Sequence, residues 1–174
     1  PVANPYGTPV PMLDQTTGLP LLNLPPDFTY RSISWTGDLM TDGSPTPERF
    51  DGMAVVQVLP GRAGDLVLIR NHENTFGPVI GGRTNAPVYD PVAIGRSQRV
   101  STAACLGGTV AHCAGGPTPG GSWLTCEETI ADGTYLGGLY HGFVFEVPAP
   151  SFGPASAVPI LDMGLMKHEA AAVD

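Results

Sequence analysis

Three short segments of the sequence carry side chains that could bind a metal ion. They are LVLIRNHE (66–73), SWLTCEET (122–129) and LMKHE (165–169). In each one, a short apolar run leads into polar residues that include a glutamate. Carboxylates favour hard cations such as Ca²⁺, whereas a thiolate favours softer metals such as iron or zinc. The three segments therefore indicate a metal site, provided that their ends meet in the fold.

The candidate ligands of such a site are the carboxylate, imidazole and thiol groups that end the three segments: His72, Glu73, Cys126, Glu127, Glu128, His168 and Glu169. A simpler interpretation stays open, because a His-Glu pair at the end of a strand is usually an ordinary surface feature. Cys126 could also form a disulfide with Cys113, and Cys105–Cys113 is a second possible pair. Zinc-finger spacing, a P-loop and a nucleophile elbow are absent from the sequence.

The elements that must position these residues are predicted to be short strands. Strand patterns occur at 29–35, 54–59, 65–70, 86–89, 99–103, 122–125, 142–147 and 158–161. The second and third flank a turn at 60–64 and predict a hairpin. The single helix-like piece, 166–173, is too short and too near the chain end to be assigned as a helix. Many short strands between Gly- and Pro-rich turns predict an all-β fold, which is a sandwich, a barrel or a propeller.

Composition narrows the classes of function. The chain has 174 residues, of which 8 are basic and 16 acidic, and its formal net charge is −8. An acidic chain is poorly suited to nucleic acid, which is bound by neutralising phosphates. The same charge repels phosphorylated small molecules unless bound cations reverse the local field. No apolar run approaches the roughly 18 residues of a membrane span, so none is expected.

The motifs and their order resemble a known family. PYG near the start is followed by RNHE, CAGGPTPGGSWLTCEET, HGFVFEVPAP and MGLMKHEAAAVD, and this series is similar to the N-terminal part of PhoX-type alkaline phosphatases. The resemblance implies a β-propeller of short antiparallel blades, of which this chain holds an incomplete portion. Residues 1–27 are then an extended proline-rich strap. Residues 28–174 are the N-terminal portion of the propeller, which we expect to continue beyond the last residue.

The resemblance also implies a metal centre that contains iron and calcium. Matched by motif, Cys126 is the expected iron ligand, Glu73 and Glu169 are expected to bind iron or calcium, and Glu127 is a further candidate ligand. The implied function is a metal-dependent phosphomonoesterase that hydrolyses small phosphate monoesters. Such a protein is expected to be a monomer exported to the periplasm or the extracellular space, with an export signal that is not present in this chain.

Two other functions compete with this interpretation. The first is a non-enzymatic secreted β-propeller with a Cys113–Cys126 disulfide and at most structural calcium. The second is a calcium-dependent propeller hydrolase of another kind, such as a lactonase. The state of Cys126 separates the phosphatase from the first alternative, because iron requires its thiolate.

Overall fold

The computed structural model describes residues 4–58, 66–74, 89–95, 98–132, 140–149 and 155–174. These residues form eleven β-strands and one 3₁₀ turn at Leu161–Met163, with no α-helix in the described ranges. The predicted all-β class is therefore confirmed. The strands form several small antiparallel sheets, and no closed ring is identified among them, so the propeller stays a prediction. The chain divides into two compact units, Pro1–Trp35 and Thr36–Asp174.

The first unit is built on a short hairpin. Strand β1 (Val10–Met12) pairs antiparallel with β2 (Leu22–Leu24). The chain reverses at Asp14, which is buried and accepts hydrogen bonds from the main-chain N–H groups of Thr16, Thr17 and Ser32 and from two of their hydroxyls. The proline-rich segment thus folds back on itself within this unit.

The second unit contains a four-stranded sheet. Its strands are β3 (Phe50–Val58), β4 (Leu66–His72), β5 (Tyr89–Gly95) and β6 (Gln98–Thr102), hydrogen-bonded in that order. All neighbours are antiparallel. The hairpin predicted from 54–59 and 65–70 is confirmed by the β3–β4 pairing, while its turn at 60–64 lies outside the described residues. Of the strand predicted at 86–89, only Tyr89 is described, and there it begins β5.

A three-stranded sheet completes the site-bearing part of the second unit. Its order is β11 (Val144–Pro148), β8 (Ser122–Glu127) and β7 (His112–Pro117), again antiparallel. The two-residue strands β9 (Ala131–Asp132) and β10 (Tyr140–His141) pair beside it. Every residue of β8, the middle strand of this sheet, is buried.

The two larger sheets share one hydrophobic core. Val56, Val67 and Ile69 of the four-stranded sheet belong to the same buried cluster as Trp123 and Phe145 of the three-stranded sheet. A close approach of β3 to β7 supports this packing. A Cβ atom at Gly52 would lie 2.7 Å from the Ala114 Cα atom, closer than real Cβ contacts allow. The glycine therefore lets the backbones of the two sheets come together.

Two predicted strands are wrong. Residues 29–35 form no strand, because their polar groups bind the hairpin instead: the Tyr30 carbonyl accepts from the Gln15 N–H, and its hydroxyl contacts the main chain at Leu21. Residues 158–161 contribute only a single bridge between Pro159 and Phe145, since proline has no N–H with which to continue a ladder.

The helix-like piece at 166–173 forms no helix, as its short length led us to expect. Its main-chain N–H groups serve other segments: Met166 donates to the Gly142 oxygen at 3.0 Å and His168 to the Glu127 oxygen at 2.9 Å. The segment is therefore bound to other parts of the second unit and has no helical hydrogen bonding. Across the described residues, no helix has the length and apolar character needed to cross a membrane.

Candidate functional site

The main chains of the three motif segments are joined by a series of hydrogen bonds. The Ala111 N–H donates to the Asn74 oxygen, one residue beyond RNHE, at 2.9 Å. The Ala111 oxygen accepts from the Glu128 N–H at 2.9 Å, and the Glu127 oxygen accepts from the His168 N–H at 2.9 Å. The structure thus brings the ends of the RNHE, TCEE and KHE segments together, with Ala111 between the first two.

Ala111 has an unusual backbone conformation for its residue type. Its φ is +49°, in the left-handed region that residues with a side chain seldom occupy, and it is buried. Strained positions of this kind persist where the surrounding structure holds them, and they are common at functional sites. The sequence contains no signal for this, because the position is not a glycine.

Asn71 connects the RNHE segment to the three-stranded sheet. Its fully buried side chain donates from Nδ2 to the oxygens of Cys113 and Ala114, each at 2.9 Å. Its Oδ1 accepts from the Trp123 indole N–H at 2.9 Å. The amide therefore binds β4 to both β7 and β8, a role that sequence inspection missed because its partners lie 42 to 52 residues away.

Glu127 is enclosed and completely hydrogen-bonded. Its Oε1 accepts from the Val110 N–H at 2.9 Å and from His141 Nδ1 at 2.8 Å. Its Oε2 accepts from the N–H groups of Gly142 at 2.6 Å and Phe143 at 3.1 Å. Burial raises the pKa of this carboxyl, but the bonds from His141, Gly142 and Phe143 outweigh burial and hold the pKa below its usual value. Glu127 is therefore an ionised, buried anchor.

His141 lies between this anchor and a small cleft. The ionised Glu127 can only accept, so the Nδ1 atom of His141 carries the proton of their hydrogen bond. His141 is itself buried and helps to line a cleft of about 190 Å³, whose walls include Phe143, Phe145 and Pro159. The cleft is mainly apolar, and Tyr140 and this imidazole are the side chains in its lining that carry polar groups.

Cys126 lies on the opposite face of β8 from Glu127, in an apolar cluster. It is fully buried with Leu124 and Val144, and Ile160 and Ala171 pack against this group. Burial raises the pKa of its thiol to about 11, so the folded chain carries it protonated at neutral pH. The contact with Ala171 places the segment that follows KHE directly against the TCEE strand.

The remaining candidate groups differ in exposure. Glu73 is half-buried, and its main-chain N–H donates to the Arg49 oxygen at 2.9 Å. Glu169 is exposed, next to the buried His168, whose Nε2 atom lies 3.1 Å from the Gly164 oxygen.

His72, the imidazole of the RNHE segment, is held within the fold. It is buried, and its Nδ1 atom lies 2.9 Å from the Glu48 oxygen. Burial, with a smaller contribution from the Arg70 guanidinium, lowers the pKa of His72 to about 4. The imidazole is therefore neutral at physiological pH, and it also packs edge-on against Phe50.

These side chains do not form a metal site within the described part of the chain. No group of three or more His, Cys, Asp or Glu side chains there is arranged to hold an ion. Cys126 has apolar neighbours and Glu127 has no acceptor position left, so the described residues do not fit iron or calcium as a complete site. The assignment of Glu73, Cys126, Glu127 and Glu169 as ligands stays a prediction. No disulfide joins Cys105, Cys113 and Cys126.

Comparison with known proteins gives the family. The family model described as alkaline phosphatase PhoX matches residues 8–95 and 93–174. The chain belongs to this PhoX family. The resemblance seen in the ordered motifs is thereby confirmed, and the match includes all three segments that converge at the site. No curated protein and no solved structure matches the chain.

Proposed function

We propose that this chain carries out, or forms part of a protein that carries out, metal-dependent hydrolysis of phosphate monoesters. Membership of the PhoX family supports the reaction class. The observation that carries the proposal is the hydrogen-bonded series through Ala111, which gathers the RNHE, TCEE and KHE segments from three distant parts of the chain. Segments that end in ligand-type side chains and meet in one place are what a polar reaction site requires.

We propose iron and calcium as the cofactors, with Cys126, Glu73 and Glu169 as the ligands that this chain contributes. The chemistry of the donors supports this assignment, because a thiolate suits iron and carboxylates suit calcium. Further donors have to come from outside the described residues. Deprotonation of the buried Cys126 thiol must accompany metal binding, since only the thiolate is a ligand.

The net charge of −8 supports a role for cations in phosphate binding. A strongly acidic chain repels a phosphate monoester, and carboxylates gathered at one place strengthen that repulsion. Bound cations are often the largest charges in a site and invert the local field. We further propose, from the family resemblance, that the protein is an exported monomer whose sheets belong to a β-propeller.

The test compares two buried cysteines in this chain. Cys126→Ser is expected to lose iron, measured by elemental analysis of protein purified without chelator, and to lose hydrolysis of p-nitrophenyl phosphate. Cys105→Ser is the matched control, because Cys105 is equally buried but belongs to the core between the sheets. Equal iron content in both variants would refute the proposal that Cys126 is an iron ligand.

A second candidate function is a non-enzymatic β-sheet protein. The apolar cluster around Cys126 favours this alternative, because such a cluster is stable without a bound metal. The proposed disulfide form of this alternative is not supported, since Cys113 and Cys126 are not bridged. Folded protein that contains neither iron nor calcium and hydrolyses no phosphate ester would establish this alternative.

A further inference from the structure

Glu127 uses every polar atom that it has within the fold. Besides the four bonds to its carboxylate, its main-chain N–H donates to the Phe143 oxygen at 3.0 Å and its oxygen accepts from His168. A carboxylate has about four acceptor positions, and protein donors occupy all four here. A metal could bind Glu127 only by displacing N–H groups that are buried and would then have no acceptor.

The partners of Glu127 lie on separate segments that surround the end of β8. Val110 precedes β7, His141 ends β10, and Gly142 and Phe143 form the connection to β11. Since side chains alternate along a strand, fixing Glu127 on one face of β8 also fixes the direction of its chain neighbour Cys126 on the other.

We infer that Glu127 is a positioning residue, which clamps the end of β8 to His141 and to the β10–β11 connection, and is not a metal ligand. The inference rests on the proposed function only in treating Cys126 as the ligand that is positioned. Through its bond to Nδ1, Glu127 also sets the tautomer of His141, a polar side chain in the lining of the cleft.

The first test uses Glu127→Gln in the full chain, with the exposed Glu48→Gln as control. Glutamine retains one acceptor oxygen and turns an NH₂ group towards two N–H donors. The urea midpoint of metal-free protein is therefore expected to fall by on the order of 1 M, while Glu48→Gln leaves it unchanged. Because Cys126 itself is unchanged, the iron content of the folded variant is expected to stay well above that of Cys126→Ser, and its calcium content at the wild-type level.

The second test measures positioning directly in wild-type protein and therefore does not depend on the folding of a variant. The His141 Nδ1 proton should give a hydrogen-bonded NMR signal that persists when metal-free protein is titrated with calcium. If Glu127 were a ligand, calcium would remove its carboxylate from His141 and the signal would move.

The inference is overturned if Glu127→Gln reduces metal content to the level of Cys126→Ser, or if calcium shifts the His141 signal. An unchanged urea midpoint in the metal-free variant would also contradict it. None of these measurements requires turnover, so they remain decisive even if the protein hydrolyses no phosphate ester, which is the outcome that would refute the proposed function.

Discussion

Asn71 and Glu127 show how single buried polar residues hold this site together. Each side chain is fully buried and satisfies its hydrogen-bonding capacity with groups from distant segments. A buried polar group without partners is costly, whereas a fully satisfied one specifies a single arrangement of the elements that it joins. These two residues therefore help to define the geometry of the motif segments.

We expect Asn71→Asp to be strongly destabilising. The carboxylate has no donor for the Cys113 and Ala114 oxygens that the amide now binds, and its charge would face them in a buried place. The expected loss is about 3 kcal/mol of unfolding free energy or more, measured by urea denaturation.

Asn23→Asp is the control for this variant, because Asn23 is exposed in β2. Its unfolding free energy should change by less than about 0.5 kcal/mol. Equal stability of the two variants would show that the bonds of Asn71 do not hold β4 against the three-stranded sheet.

At the scale of elements, glycines allow the strands and the C-terminal segment to approach one another. A Cβ atom at Gly115 would overlap the Leu124 oxygen and the Trp123 ring, and one at Gly116 would overlap the Ala171 oxygen. The segment that carries Glu169 can therefore lie against β7 and β8 only because the CAGGP stretch has no side chain there.

We expect Gly116→Ala to push the 168–174 segment away from β7. Such overpacking costs about 1–3 kcal/mol of stability, measured by thermal or urea unfolding. If Glu169 is a ligand, the calcium content of the folded protein should fall as well.

Gly120→Ala is the matched control for this element, because a Cβ atom there would meet only the Thr118 hydroxyl at an ordinary 3.6 Å. Its stability and metal content should equal those of the wild type. A Gly116→Ala variant with wild-type stability would contradict the packing of the 168–174 segment against β7.

The strands that the sequence could predict are those with clear alternation or dense apolar runs. β3, β4, β6, β8 and β11 fall within or overlap the predicted 54–59, 65–70, 99–103, 122–125 and 142–147. The N-terminal hairpin was missed because its prolines favour an extended interpretation, and β7 because its glycines hide the strand pattern.

The sequence indicated which segments meet at the site, but not what each side chain does there. That RNHE, TCEE and KHE meet could be expected from their shared pattern. Whether a glutamate is a ligand or an anchor depends on its partners, and those of Glu127 lie 14 to 17 residues away along the chain. The left-handed conformation of Ala111 had no signal in the sequence either.

At the scale of the whole molecule, the net negative charge and membership of the PhoX family both fit the proposed metal-dependent hydrolysis of phosphate monoesters. The second unit places three glutamate-bearing segments together, and the chain as a whole has a net charge of −8. Bound cations would reverse the local field and so allow a phosphate monoester to approach, as we propose. The metal content of the protein is thus the property on which the account depends most.

The most direct test removes and restores the metals of the wild-type chain. Protein purified without chelator should contain iron and calcium by elemental analysis and hydrolyse p-nitrophenyl phosphate. Treatment with chelator should abolish both properties, and adding back the two metals should restore hydrolysis. Folded protein that contains neither metal, or hydrolysis that continues unchanged after the metals are removed, would contradict the account.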